Sequence, residues 1–220
     1  MSTPAVEVLG LTRVFSPRVR SGPAITALSN VSFHVPRGAI VALTGPNGSG
    51  KTTALDIVAS LLLPTSGDAR VCGVSVVDAP ADTRQHVAYC PAGGASFWPR
   101  LTGRENLDCF ASLANVGPHE RPARLRDAAS RVGLSDDVLS RETRTYSDGQ
   151  LQRLNLARAL MRDATVWLLD EPTRSLDADA QAATWTLIRD AARERGVSAL
   201  VATHDTAGVS AYADDVVRLL

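Results

Sequence analysis

Gly45-Pro46-Asn47-Gly48-Ser49-Gly50-Lys51-Thr52 fits the pattern G-x-x-x-x-G-K-[ST], and its flanks decide how it is read. Before it runs the apolar Ala39-Ile40-Val41-Ala42-Leu43, and after it the helix-like Thr53-Ala54-Leu55-Asp56-Ile57-Val58-Ala59. Strand, glycine loop and helix stand in the order a phosphate cradle needs. Glycines let the backbone curl so that successive N–H groups point inward, and the helix N-terminus adds partial positive charge. Lys51 reaches the outer phosphates and Thr52 ligates Mg²⁺. The stretch predicts binding of a nucleoside triphosphate.

Outward from this loop, short β-branched runs alternate with helical patterns. Strands are expected at Val6–Phe15, Val31–Val35, Ala39–Leu43, Ala69–Val71, His86–Tyr89, Val166–Leu169, Ser198–Ala202 and Val216–Leu220. Helical periodicity is clearest in Thr53–Leu63, Glu105–Ala114, Pro122–Val132, Gln150–Met161 and Ala180–Arg195. Strands first, then βα units, predict an α/β fold whose sheet is mainly parallel with an antiparallel edge element. No convincing strand appears between Ala92 and Met161, so a helical subdomain at about 93–161 is expected inside one domain spanning 1–220.

Composition sets bounds. A chain of 220 residues can bury about 70% of its unfolded surface, enough for one such core with a small subdomain. Lys plus Arg equals Asp plus Glu at 23 each, so no global basic field draws in nucleic acid, and no nucleic-acid partner is expected. Cys72, Cys90 and Cys109 are odd in number and lack C-x-x-C spacing, which suggests neither a disulfide framework nor a zinc site and fits a reduced, cytoplasmic compartment. Met1–Ala5 lacks the regions of a signal peptide, and apolar runs such as Ile57–Leu63 fall short of the ~18 residues that cross a bilayer.

A second constellation lies downstream. Val166-Trp167-Leu168-Leu169 runs into Asp170-Glu171-Pro172, placing two carboxylates at the C-terminal end of a buried strand, where ligands of open α/β sheets collect. Asp170 can hold Mg²⁺ and Glu171 can take a proton from an attacking water. Tyr146-Ser147-Asp148-Gly149-Gln150 precedes an amphipathic helix; Ser147 is a good N-cap, and the helix start is a second anion site. This whole order of motifs resembles the nucleotide-binding subunit of ATP-binding-cassette (ABC) transporters: Walker A at Gly45–Thr52, signature at Tyr146–Gln150, Walker B at Val166–Asp170, then Glu171, the D-loop Ser175-Leu176-Asp177 and the switch His204.

The resemblance implies a P-loop NTPase core, ATP and Mg²⁺ as ligands, and ATPase activity with Lys51, Glu171 and His204 in the catalytic roles. ATP would be held by Gly45, Asn47, Gly48, Ser49, Gly50, Lys51, Thr52 and Thr53, with Thr52 and Asp170 on the metal. Two chains would pair head to tail as a homodimer, or as a heterodimer with another ABC ATPase subunit. Ser147, Gly149 and Gln150 would then meet the nucleotide of the partner chain, and Asp177 would help set the contact. Phe15 matches the aromatic that stacks on adenine, or else is a core phenylalanine. The implied partner is a separate membrane-spanning transporter subunit, with this chain peripheral on the inner face of the cell membrane.

Two positions depart from the family pattern. Ala92 stands where a glutamine is expected, and a methyl can neither ligate Mg²⁺ nor orient water, so slow or conditional hydrolysis is implied. Asp148 replaces the first glycine of the signature. The loop Phe97-Trp98-Pro99-Arg100-Leu101 leads to Thr102 and Glu105, which form a capping box, and resembles the export-type branch. Phe97 and Trp98 are either anchors for a partner or packing for the chain's own helices. Alternatives to a transport motor are a non-transport ABC ATPase acting in DNA maintenance, translation or iron–sulfur assembly, and a nucleotide-binding regulator with little turnover.

Overall fold

The computed structural model describes residues 3–16, 23–93 and 97–220. Its centre is an all-parallel sheet of β3 (Ile40–Thr44), β6 (Val87–Cys90), β7 (Val166–Asp170), β8 (Ser198–Ala202) and β9 (Asp215–Arg218), in the order β6-β7-β8-β3-β9. The three middle strands are almost wholly apolar because both their faces are covered. Side chains alternate between the two faces. Val41, Leu43, Leu168 and Leu200 pack with α1 (Lys51–Val58), whereas Trp167, Leu169, Ala199 and Val201 pack with α6 (Asp148–Leu160) and α7 (Ala178–Arg195).

The antiparallel element is a sheet of its own, made of β1 (Val6–Phe15), β2 (Ile25–Val35), β4 (Ser66–Val71) and β5 (Val74–Ser75), in the order β2-β1-β4-β5. It closes over α1, so that Val6, Val8, Leu11, Ala69 and Val71 join the same core as Val41 and Leu200. Strand β2 starts six residues before the expected Val31, because the pairing with β1 continues past a register shift at Asn30, whose φ is +50°. Helix α1 ends earlier than its apolar pattern: Ser60 adopts a left-handed φ of +57°, and the N–H groups of Leu61 and Leu62 both donate to the Asp56 carbonyl.

The described residues between Leu101 and Leu160 form α3 (Gly103–Leu113), α4 (Arg121–Arg131), the short α5 (Asp136–Leu139) and α6, with one isolated bridge between Thr102 and Glu142. Leu107, Ala111, Leu125, Ala128, Leu154 and Met161 make a separate core there. Helix α6 belongs to both cores: Leu154 and Ala157 face the helices, while Leu156 and Ala159 face the parallel sheet. Two further short helices, α2 (Pro80–His86) and α8 (Thr206–Tyr212), have too few turns to show a period in the sequence.

Candidate functional site

Strand β3 delivers the chain to the glycine loop, and α1 starts at Lys51 with Gly50 as its N-cap. No side chain caps this helix and its first turn carries no acid, which leaves its leading N–H groups free for an anion. Gly50 has a φ of +90°, and a Cβ there would run into the Ala27 carbonyl, so only glycine serves. Lys51 is nearly buried, and its Nζ donates to the carbonyls of Gly45 (2.8 Å) and Pro46 (3.0 Å). It is the only lysine in the sequence; the other 22 basic side chains of the 23 are arginine. Among the described residues the buried Ser49 hydroxyl has no hydrogen-bond partner, as a phosphate ligand would require.

Opposite the loop, β7 ends at Asp170, whose Oδ2 accepts the Thr52 hydroxyl at 2.8 Å. Burial pushes the Asp170 carboxyl up from its ordinary range, against the opposing pull of the Thr52 hydroxyl, the Ala92 N–H and Lys51. An alcohol and a carboxylate side by side form the hard-oxygen set that suits Mg²⁺. Glu171 follows with a left-handed φ of +49°, and its N–H donates to the Ala202 carbonyl at 2.8 Å. That turn aims the side chain away from the strand toward His204, with Oε1 3.4 Å from His204 Nε2. Burial raises the Glu171 carboxyl too, with His204 working against it, which suits a proton acceptor.

These groups share one cavity of about 730 Å³, lined by Lys51, Thr52, Ala92, Asp170, Glu171 and His204 at the C-terminal ends of the parallel strands. Asn47, Gly48, Gly50 and Thr53 line it as well. Ala92, just beyond β6, puts only a methyl and a backbone N–H beside Asp170.

Other expected site residues stand apart from this cavity. Ser147 and Gln150 form a capping box at the start of α6: Ser147 Oγ accepts the Gln150 N–H at 3.2 Å, and Gln150 Oε1 accepts the Ser147 N–H at 3.1 Å. Gly149 packs against Ser175 and Leu176, where an added Cβ would sit 3.3 Å from the Ser175 carbonyl oxygen. Asp148 is exposed in the first turn, where the helix dipole favours an acid. Asp177 caps α7, accepting the Ala180 N–H at 2.8 Å. Phe15 is 38% exposed and so is no core residue; the Arg13 guanidinium lies over its ring, 4.5 Å from the centroid.

Of the two candidate anchor aromatics, Phe97 is corrected by its burial. It is 8% exposed within the helical core and meets Phe110 edge to face with centroids 5.8 Å apart. Trp98 remains 45% exposed, its ring 5.2 Å from that of Phe110. The reason lies in Asn106, a fully buried side chain whose Oδ1 accepts the Trp98 N–H and whose Nδ2 donates to the carbonyls of Trp98, Leu101 and Thr102. This ties the loop down with one aromatic in and one out.

A second cavity, also about 730 Å³, runs between the sheet and the helices; it shares Thr52, Ala92 and Asp170 with the first. Arg84, Arg158 and Arg162 line it beside Phe110 and Leu113. Their guanidinium groups donate to the carbonyls of Ser60, Tyr89 and Arg84, and among the described residues none of the three pairs with a carboxylate. Sequence reasoning missed this trio: Arg84 is on α2, Arg158 on α6 and Arg162 beyond the end of α6, so no single periodic pattern joins them.

A phosphate loop, an oxygen pair for a divalent cation and an acid–histidine pair on a parallel sheet define a nucleotide-hydrolysing P-loop protein. Residues 28–174 match the family model described as ABC transporter. The chain is 34% identical to the ABC transporter ATP-binding protein NatA of Bacillus subtilis over 89% of its own length and 78% of the relative's. It is 36% identical to the zinc transport system ATP-binding protein TroB of Treponema pallidum over 87% and 72%, and 34% identical to a putative peptide import ATP-binding protein of Brucella ovis over 99% and 69%. Its fold superposes on the dimeric ATP-binding cassette MJ0796, solved in a post-hydrolysis state bound to ADP and Pi, with a TM-score of 0.88 and 26% identity over 97% and 94% of the two chains. The chain belongs to the ABC transporter family, as an ATP-binding subunit with an ABC ATPase domain.

Proposed function

We propose that this subunit hydrolyses ATP as one half of a head-to-tail dimer and so drives transport through a separate membrane-spanning protein at the inner face of the cell membrane. The reading is carried by the facing of Glu171 and His204, at 3.4 Å, in the same cavity as the Thr52–Asp170 pair. The backbone N–H groups ahead of α1 and the Lys51 ammonium hold the outer phosphates; Thr52 and Asp170 would hold Mg²⁺. Bound Mg²⁺ supplies charge neutralisation of the phosphate oxygens. Glu171 accepts the proton of the attacking water, and His204 faces the γ-phosphate and orients the Glu171 carboxylate.

The membrane-spanning partner is assigned to the arginine-bearing groove beside Trp98. Three guanidiniums that, among the described residues, pair with no carboxylate, set among Phe110, Leu113 and Ala159, suit an amphipathic segment that carries acids. No helix among the described residues is long and apolar enough to cross a membrane, so the pathway belongs to that partner. Export, as the direction, rests on the resemblance of the loop that runs from Phe97 to the Thr102–Glu105 capping box; a relative named for peptide import makes uptake the competing direction.

Lys51 and Glu171 are expected to fail differently. Lys51→Ala should weaken ATP binding about a hundredfold, an ion pair with phosphate being lost. Glu171→Gln should keep binding and accumulate an ATP-bound dimer, since only proton transfer is removed. Equilibrium nucleotide binding and size-exclusion chromatography with Mg-ATP read the two outcomes. A Glu171→Gln protein that turns over at the wild-type rate would overturn the assignment.

A further inference from the structure

We infer that Trp185 is a positioning residue for hydrolysis, acting on His204 through the carboxylate of Asp205; the inference rests on the role given to His204 above. The His204 imidazole reaches into the cavity from a half-exposed side chain, and among the described residues its ion-pairing partner is Glu171. Its aim is therefore set by the backbone that carries it. On one side Thr203 is buried, and its N–H donates to the Leu43 carbonyl of β3 at 3.2 Å. On the other side the Asp205 N–H donates to the Thr203 hydroxyl at 3.0 Å. The Asp205 carboxylate then fixes the turn: Oδ1 accepts the Gly208 N–H of α8 at 2.9 Å, and Oδ2 accepts Trp185 Nε1–H at 2.7 Å.

The indole is held hard in its place. Trp185 is 1% exposed in the core between α7 and the sheet, and its ring stacks on Tyr212 at 6.0 Å and 12°. A Cβ at position 208 would collide with Trp185 Nε1, so the helix backbone blocks movement on that side. A charge-assisted hydrogen bond from a donor that cannot move makes Asp205 a fixed post rather than a mobile cap. Helix α7 begins at the Asp177 cap, so one rigid rod joins the D-loop to the post behind His204.

The test is a double-mutant cycle at 185 and 204. Trp185→Phe keeps an aromatic ring for Tyr212 and removes only the N–H donor. Its kcat should fall roughly tenfold while the dissociation constant for ATP stays within about twofold, because displacing a reacting group costs rate rather than ground-state binding. In a His204→Ala background, where a residual rate is measured by single turnover, Trp185→Phe should cost nothing further. Equal losses in both backgrounds, or a wild-type kcat for a folded Trp185→Phe protein, would overturn the inference. If His204→Ala itself turns over like wild type, the role of His204 is what fails. Trp185→His, which restores a ring N–H, provides a second variant should the phenylalanine protein prove unstable, and it should recover part of the rate.

Discussion

Ala92 is the residue on which turnover is expected to hinge. It lines both cavities and presents a methyl to the space beside Asp170, where an amide would place an oxygen for the metal and a second contact for water. Ala92→Gln should therefore raise basal ATPase of the isolated subunit several-fold, about 1 kcal/mol in the barrier. Steady-state phosphate release measures it, and an unchanged or lower rate would show that the chain does not lack this group. Position 92 was legible as a departure only through the family resemblance, which places a glutamine just beyond the strand that ends at Cys90, one residue past the expected Tyr89. The phosphate loop was legible for a simpler reason: its ligands are contiguous, so pattern and site coincide. Glu171 and His204 lie 3.4 Å apart but 33 positions apart in the chain, and the sequence brought them together only through resemblance.

Among the elements, the loop from Phe97 to Thr102 shows where sequence reading stops. Two adjacent aromatics carry equal apolar character, and which one turns inward is decided by the four hydrogen bonds of Asn106, nine positions beyond Phe97. Phe97→Ala should cost about 3–5 kcal/mol of stability by opening a cavity against Phe110. Trp98→Ala should stay within about 1 kcal/mol of wild type yet weaken capture of the membrane-spanning partner. Denaturant unfolding and a pull-down on the same preparations separate the two. A Trp98→Ala protein that captures its partner normally would remove the anchor role. The capping box at Thr102–Glu105 and the Ser147 N-cap were legible, since a cap is a local matter between residues three apart; the return bond from Gln150 to the Ser147 N–H emerged only in the structure. The separate antiparallel sheet was not, because strand pairing between β1 and β4 spans some sixty residues and leaves no periodic trace.

At the scale of the whole molecule, the signature start at Ser147 lines no part of the cavity that holds Lys51, which is the arrangement a shared site between two chains requires. Ser147→Arg should abolish turnover with little change in nucleotide affinity of the monomer. Mixed with Lys51→Ala, it should restore one intact composite site per heterodimer and so a measurable rate. Two folded, exchanging variants that stay silent in mixture would argue against sharing.

The same Lys51 has a chemical consequence beyond phosphate binding. With every other cationic side chain an arginine, the protein carries a single ε-amine, and that amine lies nearly buried against the carbonyls of Gly45 and Pro46. Any acylating or carbamylating agent that reaches a lysine side chain here reaches the nucleotide site, so covalent modification and loss of function become one event. Conversely, a lysine-selective isotope label on this subunit alone gives one side-chain resonance, a reporter of site occupancy free of background from the rest of the chain.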